Sequence, residues 1–187
     1  MNLDCIIKHI NEALIAKLQH VKNIKAFGLA EFYYDGDNYF PGVQKQGGEI
    51  QNVFLDDQYN LSFYHRTEVG SFENVERNFG NKSDRERENV PVNLIIFADR
   101  NRTRLSQQNI KDLFVAALPS YLPKSVCESI DIFDCRIELS NYELDTKKVF
   151  RQECNTAEVR VGIEKGLIAI RYVITTNYRR SCTVLCD

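Results

Sequence analysis

The sequence has little excess charge, no long apolar run and few histidines, and each shortage argues against a class of function. Its 187 residues carry 24 lysines and arginines against 26 aspartates and glutamates, a formal net charge of −2. No global field therefore draws the chain onto nucleic acid or an anionic membrane. The longest apolar runs, such as 94–98 and 167–170, are far shorter than the roughly 20 residues of a membrane helix. We expect no membrane partner.

The N-terminus and the cysteines indicate the compartment. The first residues lack the basic start, apolar stretch and cleavage site of a secretory signal, so we expect synthesis and folding in a cytosol. Six cysteines are scattered through a chain large enough to fold without disulfides, which favours free, partly buried thiols. They are Cys5, Cys127, Cys135, Cys154, Cys182 and Cys186. The closest two have no second pair at zinc-ligand spacing, so no metal site is predicted.

Histidine is the scarce ingredient of a hydrolytic site, which needs a nucleophile, a base and an orienting group. His9 and His20 lie at the side of the first helical pattern, where a surface role is the common one, and His65 ends a strand pattern. Nucleophile-elbow, phosphate-loop and zinc-protease motifs are absent from the sequence. We therefore predict no catalytic residue, no cofactor and no enzyme activity, although missing motifs weaken an enzyme interpretation without excluding it.

Apolar periodicity predicts a single domain over residues 1–187, of a size that buries a substantial core. Apolar residues at steps of three and four over 3–21 predict an amphipathic helix of about five turns. Ser106 is a good N-cap for a second helix, which we expect to end at Pro119.

Strand-forming segments account for most of the remaining chain. Residues 24–34 and 39–43 flank a turn at 35–38 and predict a hairpin in which Pro41 requires an edge or irregular position. A second hairpin is predicted for 49–55 and 59–66. Three further strands are expected at 90–98 in the middle of a sheet, at 129–139 with a bulge near Ile132, and at 167–178, whereas 145–163 is compatible with helix or strand. The fold class is therefore α+β, with a mixed, mainly antiparallel sheet and two main helices packed on one face.

Charge concentrates in the segment at about 67–89, which reads as a long exposed loop. Loops of this length in compact domains are usually functional or disordered. The segment is either a partner surface or a solvated insertion, and we assign its Arg85 and Arg87 to a subunit or partner contact.

Three alternating arginines, Arg100, Arg102 and Arg104, form a second candidate contact. In an extended segment they would point to one side, next to a helix start, where a phosphate or an acidic partner could bind. The alternative is a solvated loop whose charges pair with Asp99 or Asp112.

Two other patterns favour structure over binding. Residues 35–38 resemble the start of a calcium loop but lack its closing glutamate, which favours a hairpin turn. A group of aromatic residues could stack on single-stranded nucleic acid, yet few basic residues are interleaved, which favours core packing and makes nucleic acid an unexpected partner. They are Phe27, Phe32, Tyr33, Tyr34, Tyr39 and Phe40.

The order of elements resembles the tail-terminator or tail-completion proteins of long-tailed bacteriophages and related prophages. The resemblance depends on the amphipathic opening helix, on 37–41 after the first strand, on the strand-to-helix unit 92–118 and on the closing strand at 167–176. It implies a small α+β subunit that forms a ring, commonly a hexamer, which caps the tail tube and joins it to the head. The segment 120–164 is longer than the family implies, so another neck or connector protein is an alternative.

The resemblance also implies partners and a location. The partners would be further copies of the chain together with tail-tube and neck proteins, and the location would be the bacterial host cytoplasm during assembly and then the virion. A second hypothesis is a non-enzymatic adaptor or regulator from a mobile element, binding protein or nucleic acid through the three arginines. An enzyme of unknown chemistry is a third.

Overall fold

The structure is a computed structural model. It describes residues 3–35, 38–45, 47–54, 58–67, 73–77, 85–122, 132–141 and 166–179. Within them the helices are α1 (Leu3–Lys17), α2 (Arg100–Thr103) and α3 (Gln107–Ala117). The strands are β1 (Ile24–Leu29), β2 (Glu31–Asp35), β3 (Asn38–Gln44), β4 (Ile50–Asn52), β5 (Leu61–Thr67), β6 (Glu73–Arg77), β7 (Arg85–Ala98), β8 (Tyr121–Leu122), β9 (Ile132–Asn141) and β10 (Leu167–Arg179).

Seven of the described strands form one large sheet. Its order is β1-β5-β7-β10-β9-β8, and β6 pairs with the first part of β7 beside β5. Only β1 and β5 pair in parallel among these strands, so the sheet is mixed and mainly antiparallel, and the α+β class is confirmed. The central position of β7 agrees with the prediction for 90–98, because residues 92–98 are buried and leave no polar face for water.

The segment at 67–89 is not one long loop. Glu73–Arg77 is strand β6, and β7 begins at Arg85, five residues before the predicted start. The two strands pair antiparallel from Glu73 opposite Asn89 to Arg77 opposite Glu86. The backbone amide groups of this charged segment form hydrogen bonds with a long neighbouring strand. Such pairing does not depend on the side chains, so the periodicity of the sequence could not predict it. Residues 68–72 and 78–84 lie outside the described residues.

Both main helices pack on the same face of the large sheet. Apolar residues of α1 and α3 share one core cluster with β5, β7 and β10. Ser106 caps α3 as predicted, since its Oγ accepts a hydrogen bond from the backbone N–H of Asn109 at 3.1 Å. Helix α1 is shorter than predicted because the chain must turn into β1, and Asn23 makes that turn with a φ of 57°.

A small sheet, β2-β3-β4, packs against the opposite face. The hairpin around 35–38 is confirmed, with Asp35 opposite Asn38. Its first strand is shorter than the predicted 24–34, because only Glu31–Asp35 pairs with β3 whereas Ile24–Leu29 pairs with β5 in the large sheet. The second predicted hairpin is wrong, because β4 pairs with β3 whereas β5 pairs with β1 and β7. Residues 61–66 of β5 are all buried, and a strand buried on both faces belongs inside a large sheet. The edge position predicted for Pro41 is wrong, because β3 is the middle strand and Pro41 lies opposite Phe32 of β2. On its other side the β3–β4 register ends at Gly42, and the carbonyl of Pro41 accepts from the N–H of Val53.

The remaining predictions have mixed outcomes. The bulge in β9 is confirmed, since the β9–β10 register shifts next to Ile132, and the last strand is confirmed as β10. Cys135 is free and buried as expected, but Cys5 is disulfide-bonded, so the free-thiol interpretation is wrong there. Its partner, the other cysteines and the segment 145–163 lie outside the described residues. No helix among the described residues is long and apolar enough to cross a membrane.

Candidate functional site

The three alternating arginines do not share one side. Residues 100–103 form the single turn of α2, in which successive residues advance by about 100°, so Arg100 and Arg102 point in nearly opposite directions. Arg104 follows in the left-handed region with a φ of 57°. The extended geometry needed for a common arginine surface is therefore absent, and the expectation that depends on it is corrected.

The contacts that Arg100 and Arg102 make with nearby residues agree with the alternative interpretation, a solvated loop whose charges pair locally. The Nε of Arg102 lies 3.3 Å from a carboxylate oxygen of Asp99, the partner that the sequence suggested. Asp99 also caps α2 by accepting from the N–H groups of Asn101 and Arg102. Arg100 reaches the side-chain oxygen of Gln107 at 3.4 Å. The binding role of the three arginines remains a prediction.

Arg85 and Arg87 lie far from the other three arginines. They begin β7, with Arg85 opposite Arg179 and Arg87 opposite Asn177 of β10. Arg100 follows the other end of β7, and a strand of 14 residues spans roughly 45 Å. The structure thus separates the predicted contact residues into two groups at opposite ends of one strand. The side chains of Arg85 and Arg87 lie outside the described set.

The histidines occupy three different environments. His9 is half-buried on α1 and its Nδ1 lies 3.1 Å from Glu12, one turn along the helix. His20 is exposed after the end of α1. His65 is fully buried on β5, on the helix-covered face with Leu61 and Phe63, as the strand alternation predicted.

His65 belongs to a closed chain of hydrogen bonds. Asn11 of α1 donates from Nδ2 to the carbonyl oxygen of Phe27 at 2.9 Å, so its Oδ1 faces the histidine ring. The His65 Nε2 lies 2.7 Å from that oxygen, and the Tyr172 hydroxyl lies 2.7 Å from Nδ1. We assign the proton to Nε2, because an amide oxygen can only accept, and Nδ1 then accepts from the hydroxyl. Both ring nitrogens are used inside the core.

The electrostatics of this chain favour neutral groups. Burial lowers the pKa of His65 from 6.5 to about 3, because a buried imidazolium loses its hydration. Burial, with a smaller effect from Cys135, raises the pKa of Tyr172 well above 10. A neutral, enclosed imidazole cannot reach a substrate in this arrangement, so the network links α1, β1, β5 and β10 as a structural element.

The aromatic group is divided between core and surface. Phe27 is buried in the core cluster beneath the small sheet, in agreement with core packing. Tyr33 and Phe40 are half-buried, with ring centroids 6.4 Å apart, and the ring centroid of Phe32 lies 5.1 Å from the guanidinium carbon of Arg66.

Tyr34 differs from these packed aromatic residues, because 80% of its surface is exposed. These positions do not form one stacking surface. The side chain of Tyr39 lies outside the described set.

Four large apolar side chains are exposed among the described residues, and one of them, Ile15 on α1, is 42% exposed. Tyr34 lies on the small sheet, whose strand β3 contacts β1 at one end of the strand order. At the other end, Tyr121 on β8 and Leu139 on β9 are 47% and 38% exposed. Sequence reasoning did not identify these edges, since the strand order that creates them is a tertiary property.

The described residues contain no group of three or more histidine, cysteine, aspartate or glutamate side chains that could hold a metal ion. The sequence matches no protein-family model and no curated protein. The candidate site that remains is a pair of surfaces with exposed apolar side chains, Tyr34 on the small sheet and Tyr121 with Leu139 at the β8–β9 end of the large sheet.

Proposed function

We propose that the protein is a structural, non-enzymatic subunit that assembles into a ring, of the tail-terminator or neck type that its element order resembles. The observation that supports this proposal most directly is the presence of exposed large apolar side chains on two separate surfaces, the small sheet and the β8–β9 end of the large sheet. Tyr34 lies on β2 of the small sheet, and Tyr121 with Leu139 lies at the β8–β9 end of the large sheet.

Two different surfaces at opposite ends of a subunit are what a head-to-tail ring requires. A contact between unlike surfaces repeats from copy to copy and closes when the rotation per step divides a full turn. Tyrosine and other large apolar residues are enriched at the centres of such contacts. The ring would cap the tail tube, and its other partners would be tail-tube and neck proteins of the virion.

Histidine chemistry is consistent with a subunit that does no catalysis. The fully buried histidine has both ring nitrogens engaged, and the half-buried His9 contacts Glu12 on the same helix. The Tyr172 hydroxyl that contacts His65 is, like the imidazole, fully buried, so this pair is closed to a substrate.

Light scattering of the native protein over a concentration series tests self-assembly. We expect a mass that rises to a fixed multiple of 21.7 kDa, with rings visible by electron microscopy at the plateau. A mass that stays at 21.7 kDa at every concentration would contradict the ring and favour the adaptor hypothesis.

Immunolabelling tests the phage assignment separately. In phage particles induced from cells that carry this sequence, an antibody against the chain should mark the neck end of the tail. Unlabelled particles together with a ring-sized mass would reject the virion location and retain the oligomer.

A further inference from the structure

Strand β1 ends the strand order of the large sheet among the described strands, and an open groove runs along it. The groove has a volume of about 540 Å³. Residues 25–29 of β1 line it, with Asp4 of α1 on one side and Val43 and Gln51 of the small sheet on the other. The outer edge of β1 therefore borders open space between the helix layer and the small sheet.

Alternate residues of β1 direct their backbone groups toward this outer edge. The carbonyl of His65 accepts from Ala30, so the odd-numbered residues of β5 pair with β1. In that parallel register Lys25 bonds to β5, whereas Ile24 and Ala26 direct their N–H and C=O groups away from it. No described strand pairs with β1 on that side. An edge of this kind can accept a further strand.

The last strand of the sheet extends far past the end of β1. Strands β10 and β1 run in the same direction, because β1 is parallel to β5 and two antiparallel steps lead from β5 through β7 to β10. Leu29 is level with Ile170 through His65 and Leu94. Arg179, nine residues further along β10 (179 − 170), is therefore roughly 30 Å beyond the end of β1.

The segment 180–187, which lies outside the described residues, is too short to return along β1 of its own subunit. Fully extended, it spans at most about 29 Å. The return to Leu29 alone needs about 30 Å along the strands and about 14 Å across three strand spacings. The segment contains the strand-forming run Thr183, Val184 and Leu185. A strand-forming segment that cannot reach its own groove can reach the groove of another copy.

We infer that the segment 180–187 of one copy pairs antiparallel with β1 of the next copy and extends its large sheet. This contact rests on the proposed ring and specifies how its subunits join. Main-chain hydrogen bonds to an edge strand supply affinity, and the side chains determine the direction and register. A segment donated from each copy to the next repeats around a ring until the rotation closes.

Charges at the two ends of the groove select the antiparallel direction. Lys25 near the start of β1 and Glu31 just past its end both line the groove, and both are exposed. The incoming segment has Arg180 at its start and Asp187 at its end. Antiparallel entry places Arg180 beside Glu31 and Asp187 beside Lys25, whereas parallel entry places like charges together at both ends.

A double charge reversal tests this arrangement. Glu31→Arg and Arg180→Glu each place like charges in the contact, and we expect each alone to raise the midpoint concentration of assembly by about tenfold. The double variant restores opposite charges at every contact and should assemble near the wild-type midpoint. Glu12→Arg, at an exposed position of α1, is the matched control and should not change the midpoint. Light scattering in a reducing buffer measures the midpoint, and circular dichroism confirms that each variant is folded.

Photo-crosslinking in the full chain identifies where the segment binds. With p-benzoylphenylalanine in place of Val184, ultraviolet light should join two chains covalently, and trypsin should release the crosslink attached to residues 26–45. Gly28→Trp should abolish this product, because a Cβ at this exposed position meets no atom within 4 Å and the indole would occupy the groove. Asn109→Trp, at an exposed position of α3, is the control and should retain the product.

The outcomes separate this contact from the proposed function. If the wild type forms rings but the double variant is not restored, or if the crosslink forms within one chain or outside 26–45, the contact is wrong and the ring stands. If the wild type is monomeric throughout, both the ring and this contact are wrong.

Discussion

The two faces of the large sheet bury their residues in different ways. On the helix-covered face, the side chains of β7 from Val90 to Ala98 are apolar and buried at every second position. On the opposite face, Ile95 and Phe97 join the core beneath the small sheet, but the next residue on that face is Asn93. A face covered by two long helices can be apolar along its length, whereas cover by a three-stranded sheet leaves room for polar side chains.

A polar row crosses the second face where its apolar cluster ends. Arg66 of β5 and Arg171 of β10 both align with Asn93 of β7. The Nε of Arg171 donates to the Asn93 side chain at 3.4 Å, and the guanidinium of Arg66 lies over the ring of Phe32. A planar cation that stacks on an aromatic ring can be buried at lower cost than an ammonium group. The helix-covered face instead buries neutral polar groups, the Asn11–His65–Tyr172 chain.

Acid should destabilise the protein through His65 on the helix-covered face, and this is the largest effect that we predict. The pKa of His65 is about 3 in the folded protein and 6.5 in an unfolded chain. Between these values the unfolded chain binds a proton that the folded protein does not. The free energy of unfolding should therefore fall by up to about 1.4 kcal/mol for each pH unit below 6.5, until pH 3 is reached.

Denaturant unfolding at a series of pH values measures this loss, and two glutamine variants identify its source. His65→Gln should flatten the dependence between pH 6.5 and the range where carboxylates titrate, whereas His20→Gln, at an exposed histidine, should leave it unchanged. A wild-type slope that persists in His65→Gln would show that other groups cause the acid sensitivity.

Removing one hydroxyl from each face compares the two environments directly. Tyr172→Phe leaves the buried Nδ1 of His65 without its donor, and we expect a loss of about 1–3 kcal/mol in the free energy of unfolding. Thr175→Val removes the 2.8 Å bond to Asn89 on the other face, where partial exposure lets water replace it, so we expect about 0.5–1 kcal/mol. Urea unfolding of both variants measures the difference, and equal losses would contradict the contrast between the faces.

Arg100 and Arg102 of α2 and the following Arg104 lie on the surface, and their loss should have the smallest effect. The side chains of Arg100, Arg102 and Arg104 are exposed, and the contact of Arg102 with Asp99 is a surface ion pair. Replacing all three with alanine should change the free energy of unfolding by less than about 1 kcal/mol. On the ring proposal, the triple variant should also assemble with the wild-type midpoint in light scattering.

Nucleic-acid binding by the same variant tests the adaptor hypothesis. A gel-shift titration with duplex DNA should give the same result for the wild type and the triple variant. Weaker binding by the variant would support the adaptor hypothesis, whereas unchanged binding to DNA and to protein partners would reject it. Lys8→Ala with Lys22→Ala, at two other exposed positions, controls for the general loss of positive charge.

Part of the candidate site could be predicted from local pattern. The alternation in β5 correctly placed His65 on the same face as Leu61 and Phe63, and the sequence identified Asp99 as a partner for an arginine. The common surface expected for the three arginines was wrong because a capped helical turn replaced the extended segment. The hydrogen-bond chain was not predictable, since Asn11 and Tyr172 are 161 residues apart (172 − 11) in the sequence.

The sequence by itself determined the elements whose signal is local. Apolar spacing located α1, the Ser106 cap located the start of α3, and the polar turn at 35–38 located the first hairpin, because each depends on residues a few positions apart. The tertiary structure alone decided which strands became neighbours. It divided β4 and β5 between two sheets, paired the charged segment with β7 as β6, and placed β1 and β8 at opposite ends of the large sheet. Backbone hydrogen bonds between strands are the same for every sequence, so strand order depends on long-range burial that local periodicity does not contain.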